Sequence, residues 1–142
     1  MKYKILIVSA NYYSDISSNL LKKAKSVLRN KSNVKIINVP GVFEIPVVIS
    51  KNIKKFDGFI ALGCVIRGET PHFDFISQAT TSAIMNLSIL NKKPISNGII
   101  TCLNMKQAKA RSGNSNKVNK GLEASKAVLS VLNNFNERWI QV

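Results

Sequence analysis

The sequence predicts an α/β domain built on a four-stranded parallel sheet with helices on both faces. Apolar runs alternate with amphipathic stretches four times, and an extra amphipathic stretch closes the chain. The first predicted strand is a continuous apolar run, as expected where both faces are covered. Connections between the segments are short, which favours adjacent parallel strands and crossover helices. At 142 residues and 45% apolar composition the chain can bury one sizeable core. It carries no internal repeat and no linker, so residues 1–142 read as a single domain.

Taken in order, Lys4 to Ser9 is the first strand. A polar turn, Asn11 to Asp15, leads to a helix reaching about Asn30, with Ile16, Leu20, Ala24, Val27 and Leu28 on one face. Val34 to Val39 is the second strand, ended by Pro40-Gly41. Glu44 to Ile53 reads as a short helix, with Pro46 tolerated only in its first turn. Phe59 to Ile66 is the third strand. The next helix spans about Thr70 to Leu90, with Thr70 as N-cap, Pro71 as first helical residue, and an apolar stripe of Phe73, Ile76, Thr80, Ala83, Leu87 and Leu90. Pro94 breaks it before a fourth strand, Ile95 to Leu103. Asn104 caps a short helix to Arg111, Ser112 to Lys117 is a loop, and a last helix runs from about Val118 to Asn136. Val128, Val131, Leu132 and Phe135 mark its buried side.

Composition narrows the functional classes. No apolar run approaches the ~20 residues that span a bilayer. The basic start, Met1 to Lys4, precedes only four consecutive apolar residues, Ile5 to Val8, and reads as a strand rather than a secretory signal. Cys64 and Cys102 fall in predicted strands and are expected as buried thiols of a reducing compartment, so a cytoplasmic location is expected. One histidine and two distant cysteines do not make a metal site. The net charge is +14, and 17 of the 21 cations are lysine. They are dispersed as pairs such as Lys22-Lys23, Lys54-Lys55 and Lys92-Lys93, at predicted helix ends and turns. Neither nucleic acid nor a membrane is therefore expected as the main partner, although the field could steer a phosphorylated substrate.

In a parallel sheet, ligands bind beyond the carboxyl ends of the strands. Three segments fall there. Tyr12 and Tyr13 follow the first strand, Pro40-Gly41-Val42-Phe43-Glu44 the second, and Arg67-Gly68-Glu69-Thr70-Pro71-His72 the third. Tyr12 or Phe43 could stack on a flat ligand while Glu44 accepts hydrogen bonds. Backbone N–H groups near Glu69 and Thr70 lie at a helix start, which suits phosphate. Arg111 and nearby lysines could add charge. Each residue also has an ordinary reading: His72 as a solvated helix-start residue, Tyr12 and Phe43 as packing, Thr70 as a cap, Glu44 and Arg111 as partners of helix dipoles. The residues by themselves reach an α/β domain with an anion-binding, acid–base site.

In combination the motifs are more specific. Pro40-Gly41-Val42-Phe43-Glu44-Ile45-Pro46 and Leu62 to Asp74 (Leu-Gly-Cys-Val-Ile-Arg-Gly-Glu-Thr-Pro-His-Phe-Asp) are followed by Asn97-Gly98-Ile99-Ile100-Thr101, Gln107-Ala108 and Asn119-Lys120-Gly121. In this order and spacing the chain resembles the 6,7-dimethyl-8-ribityllumazine synthase family over nearly its whole length. The resemblance implies a three-layer flavodoxin-like sandwich of strand order 2-1-3-4. It implies a transferase of riboflavin biosynthesis that condenses 5-amino-6-(D-ribitylamino)uracil with 3,4-dihydroxy-2-butanone 4-phosphate, without metal or organic cofactor. It implies that Tyr12 stacks on the pyrimidine, that Val42, Phe43 and Glu44 hold the ribityl chain, and that Cys64, Val65, Ile66 and Asn97 supply main-chain contacts to the ring. Glu69 and Thr70 would bind phosphate through backbone N–H groups, with Arg111 and Lys120 adding charge, and His72 would transfer protons.

The chain departs from the family pattern at four places. Tyr12 stands where phenylalanine is usual, Asn11 where arginine is common, and Asn97 where many relatives carry an aromatic residue. The Ser112 to Lys117 loop is one residue longer than in some relatives, which leaves Lys117 and Lys120 as alternatives at the phosphate. The resemblance also implies a homopentamer with sites between neighbours, in some relatives assembled into decamers or sixty-subunit shells. A start directly at the first strand favours the smaller assemblies. Two other readings fit the same residues: a basic module that holds phosphorylated ligand or nucleic acid without chemistry, and a family member that binds a riboflavin-like ligand without turnover.

Overall fold

The computed structural model describes residues 2–114 and 118–137. Four strands, β1 (Tyr3–Ala10), β2 (Ser32–Val39), β3 (Gly58–Ile66) and β4 (Ile95–Cys102), form one parallel sheet of order β2-β1-β3-β4. The sheet is therefore the expected 2-1-3-4 arrangement. The helices are α1 (Ser14–Leu28), α2 (Ile45–Asn52), α3 (His72–Asn91), α4 (Met105–Ala110) and α5 (Lys120–Phe135), with a single 3-10 turn at Val42–Glu44 before α2. The helix expected over Glu44 to Ile53 is α2, with Pro46 in its first turn as expected and only Glu44 left in the tighter turn through which the chain enters.

Alternation along the central strand builds two cores. Ile5 and Ile7 face Leu20, Leu28, Val128 and Leu132 of α1 and α5, whereas Leu6 and Val8 face Ile45, Ile49 and Ile84 of α2 and α3. Both sets are apolar, which is why β1 reads as an unbroken apolar run. Each such fully buried Leu or Ile contributes about 1.5–3 kcal/mol. On the first face, α1 and α5 approach closely at Gly121, where an added Cβ would lie 2.2 Å from the carbonyl oxygen of Leu20.

Several expectations about packing are corrected. Leu90, Val131 and Phe135 were expected to be buried but are exposed, because no element among the described residues covers those positions. Buried positions on α3 reduce to Thr80 and Ile84, leaving Phe75, Met85, Ile89 and Leu90 as an apolar outer face. α3 starts at His72. Pro71 is its N-cap, since the Pro71 carbonyl is the first to accept an i+4 bond, from the Phe75 N–H at 3.2 Å. Thr70 lies one residue outside and accepts from the His72 N–H at 3.4 Å, so it does not cap the helix as expected. Asn104 does cap α4, accepting from the Gln107 N–H at 2.9 Å. Asn119 does the same for α5, accepting from Gly121 and Leu122. Among the described residues no helix is long and apolar enough to cross a membrane.

Candidate active site

The carboxyl ends of β1 and β3 flank the 3-10 turn that follows β2, and their side chains enclose a cleft of about 460 Å³. Eight of the thirteen candidate residues line it: Tyr12, Val42, Phe43, Glu44, Cys64, Val65, Ile66 and His72. Gly63 makes this geometry possible. A Cβ there would sit 2.7 Å from a Val42 methyl and 3.0 Å from the Ala10 Cβ, so its absence lets the turn pack directly on the sheet.

Two large rings stand open to solvent at the mouth, Tyr12 at 76% and Phe43 at 62% exposure. An apolar ring this exposed is available to a ligand rather than consumed by the core. Tyr12 meets Tyr13 edge to face with centroids 4.9 Å apart, which fixes both rings. The Tyr13 hydroxyl is pushed above its ordinary range, first by burial and then by the neighbouring Tyr12, so it stays a neutral donor at physiological pH. Glu44 and His72 are exposed on the rim, the one a carboxylate able to accept hydrogen bonds and the other an imidazole able to give or take a proton. The N-terminus of α3 lies at the same rim through His72, placing the positive end of a 20-residue helix beside the cleft.

Cys64 lines the cleft while its side chain belongs to the α1/α5 core, together with that of Cys102. The two are diagonal on neighbouring strands, with Cys64 opposite Ile100 and Cys102 opposite Ile66, and both are free thiols, as expected. Burial, and then Cys102, push the Cys64 thiol up from 9.0 to about 12. It is therefore a protonated packing group rather than a nucleophile. Because the folded value is the higher one, its contribution to stability is whole below 9.0 and is lost as the pH climbs toward about 12. Urea unfolding followed from neutral to alkaline pH should show a steeper loss of stability in the native chain than in Cys64→Ala. Equal slopes would mean that the thiol is not protected.

The remaining five candidates are not in the cleft. Glu69 and Thr70 are exposed on the segment that enters α3 and adjoin the cleft only through His72. Asn97 is opposite Ala61, three pairs back along the strands from Cys64, and its side chain accepts from the Ile99 N–H at 3.0 Å. Arg111 and Lys120 meet at a different corner, where the Lys120 N–H donates to the Arg111 carbonyl at 2.9 Å. A bridge between Ser112 and Asn119 and the bond from Asn119 Nδ2 to the Gly113 carbonyl hold that corner closed. Lys117, the alternative phosphate residue, lies outside the described residues. Sequence reasoning placed Tyr13 in the turn at the strand ends without a role, and missed Ile76 as a cleft residue. Tyr13 adjoins Tyr12, and Ile76 stands four residues after His72 on the same helical face, a spacing that could have found it. Among the described residues no group of three or more histidine, cysteine or acidic side chains could hold a metal.

The family model for 6,7-dimethyl-8-ribityllumazine synthase matches residues 2–136. The chain belongs to the 6,7-dimethyl-8-ribityllumazine synthase family. Curated relatives carrying that name agree over nearly the full length. The Bartonella bacilliformis protein is 46% identical over 134 residues, covering 90% of this chain and 87% of the relative. The Buchnera aphidicola (subsp. Baizongia pistaciae) protein is 42% identical over 143 residues, covering 95% and 89%. The Campylobacter curvus protein is 41% identical over 138 residues, covering 93% and 88%. Lumazine synthase activity, a transferase step of riboflavin biosynthesis, follows for this chain, and the parallel 2-1-3-4 sheet is the flavodoxin-like fold expected of it.

Proposed function

We propose that the protein condenses 5-amino-6-(D-ribitylamino)uracil with 3,4-dihydroxy-2-butanone 4-phosphate to 6,7-dimethyl-8-ribityllumazine, releasing phosphate and water, at sites shared between neighbouring subunits of a homopentamer. The observation that carries this reading is the cleft. It gathers exposed rings, a carboxylate and the sole histidine at the strand ends, yet leaves Asn97, Arg111 and Lys120 elsewhere on the same chain. Tyr12 stacks on the pyrimidine, Val42, Phe43 and Glu44 hold the ribityl chain, and the backbone of Cys64 to Ile66 meets the ring. A neighbour supplies Asn97, Arg111 and Lys120. The apolar outer face of α3, with Phe75, Met85 and Ile89, suits burial in the subunit contact.

The chemistry matches the residue types. The uracil's amine adds to the ketone and loses water to give an imine, phosphate is eliminated, and the second amine closes the ring with loss of water. Each step moves a proton, the task of His72. The leaving phosphate is met by N–H groups around Glu69 and Thr70 at the α3 N-terminus and by the Arg111 guanidinium. Fluorescence of the lumazine product, followed against the uncatalysed rate, tests the reaction. No acceleration by folded, oligomeric protein would leave a ligand-binding domain without turnover.

Shared sites make a second expectation. Phe43→Arg should block the cleft and Arg111→Ala should empty the phosphate corner, each nearly abolishing turnover alone. In a ring of heterologous contacts assembled from equal amounts of both chains, roughly a quarter of the sites receive two intact halves. Co-expressed variants should recover activity accordingly. If mixed assemblies stay as inactive as either parent, each site is built within one chain.

A further inference from the structure

Arg29, at the end of α1, stands where three concavities meet. The largest, about 870 Å³, runs between α1 and α5 and includes Lys31 and Lys126. A second, about 380 Å³, continues along α1 past Lys25 and Lys22, and a third, about 210 Å³, opens toward β2. Cations dispersed along the sequence are thus concentrated in space. Lys22, Lys25 and Arg29 follow the i, i+3, i+7 spacing of one helical face, spanning about 10 Å of helix. Asn30 adopts the left-handed conformation at φ 66°, and the turn it makes returns Lys31 to the same groove. Against these five cations the lining holds one carboxylate, Glu137, and none of the five forms an ion pair with a described residue. The far wall is fixed by the Tyr3 hydroxyl, which donates to Asn133 at 2.8 Å and accepts from Asn136 at 3.0 Å.

We propose that this groove binds the backbone of single-stranded nucleic acid, a property independent of the lumazine reaction. One phosphate cannot engage cations spread over about 10 Å of helix, whereas successive phosphates of an extended strand can. Hydroxyls of Ser18, Ser26 and Ser130 line the same path and suit phosphate and sugar oxygens. A membrane surface fits less well, because the cations are set in concavities and, among the described residues, no exposed aromatic side chain lines them as an anchor. The groove lies on the α1/α5 side of the sheet, away from the apolar outer face of α3.

The test is fluorescence anisotropy of an oligouridylate of about 12 nucleotides, within the ~4–16 nucleotides that one small domain covers. Five phosphate contacts give a log–log salt slope of about −3.5, a roughly hundredfold loss of affinity between about 50 and 200 mM salt. The triple variant Lys25→Gln, Arg29→Gln, Lys126→Gln should flatten the slope by about 2. A charge-matched control on the other layer, Lys51→Gln, Lys54→Gln, Lys55→Gln, should keep the native slope, and unchanged thermal unfolding of both certifies their fold. Equal weakening by the two variants would reduce the effect to diffuse charge and overturn the proposal. So would absence of binding at about 50 mM salt, or anionic phospholipid vesicles displacing the oligonucleotide from the native protein but not from the triple variant.

Discussion

His72→Ala is expected to slow lumazine formation about a hundredfold, the low end of what a positioned acid–base group contributes. The reason lies in the division of labour at the cleft. Both substrates of the proposed reaction are reactive by themselves, and holding them in contact supplies much of the acceleration. The rings, the carboxylate and the strand-end backbone that do this are separate from His72 and survive its removal. His72 is exposed and its side chain fills no part of either core, so stability should change little. Steady-state kinetics should therefore show a lower kcat with a nearly constant KM for both substrates. Complete loss of turnover in a variant that still folds and binds would make His72 indispensable, and an unchanged kcat would remove it from the chemistry.

Gly121→Ala should cost about 3 kcal/mol, or about 10 °C in melting temperature for a chain of this size. In a helix, alanine ordinarily gains up to about 1 kcal/mol over glycine. Here the new Cβ would meet the Leu20 carbonyl oxygen at 2.2 Å and its carbon at 2.8 Å. These are main-chain atoms, so no rotamer change relieves the overlap and α5 must move away from α1. That movement opens the contacts of Leu20 and Leu28 with Val128 and Leu132. Thermal and urea unfolding would measure the effect. A loss below about 0.5 kcal/mol, the range of an ordinary surface change, would mean that the two helices are farther apart than described.

Much of the architecture was legible because the central strands β1 and β3 are apolar almost throughout and the helix breaks carry proline or asparagine. Pro40, Pro46 and Pro94 each mark a boundary near where it occurs. The end of α3 was less legible. Its apolar stripe continues past the point where any described residue covers it, so Leu90 reads as core and is exposed. Val131 and Phe135 on α5 fail for the same reason. Periodicity reports that a face is apolar, not what covers it. The start of α3 was misplaced by one residue because threonine and proline both favour helix starts, and only the carbonyl that receives the first bond decides between them. At the site, Tyr12, Phe43 and His72 were found as residues of the segments that follow the strands. That Arg111 and Lys120 gather at another corner depends on where α4 and α5 meet, which no local pattern encodes.

The sheet also works as a wall between two interiors. Leu20, Leu28 and Val128 are packed on one side, Ile45, Ile49 and Ile84 on the other, with strands between them. Side chains so separated do not feel one another's substitutions. Each interior can thus change its composition over many generations without the other having to answer. The cleft is where this freedom ends. Tyr13 and Ile66 belong to one interior and Val42, Val65 and Ile76 to the other, and all five surface together at the strand ends. Descendants of this chain are free to drift in either half, and are held in step only along that seam.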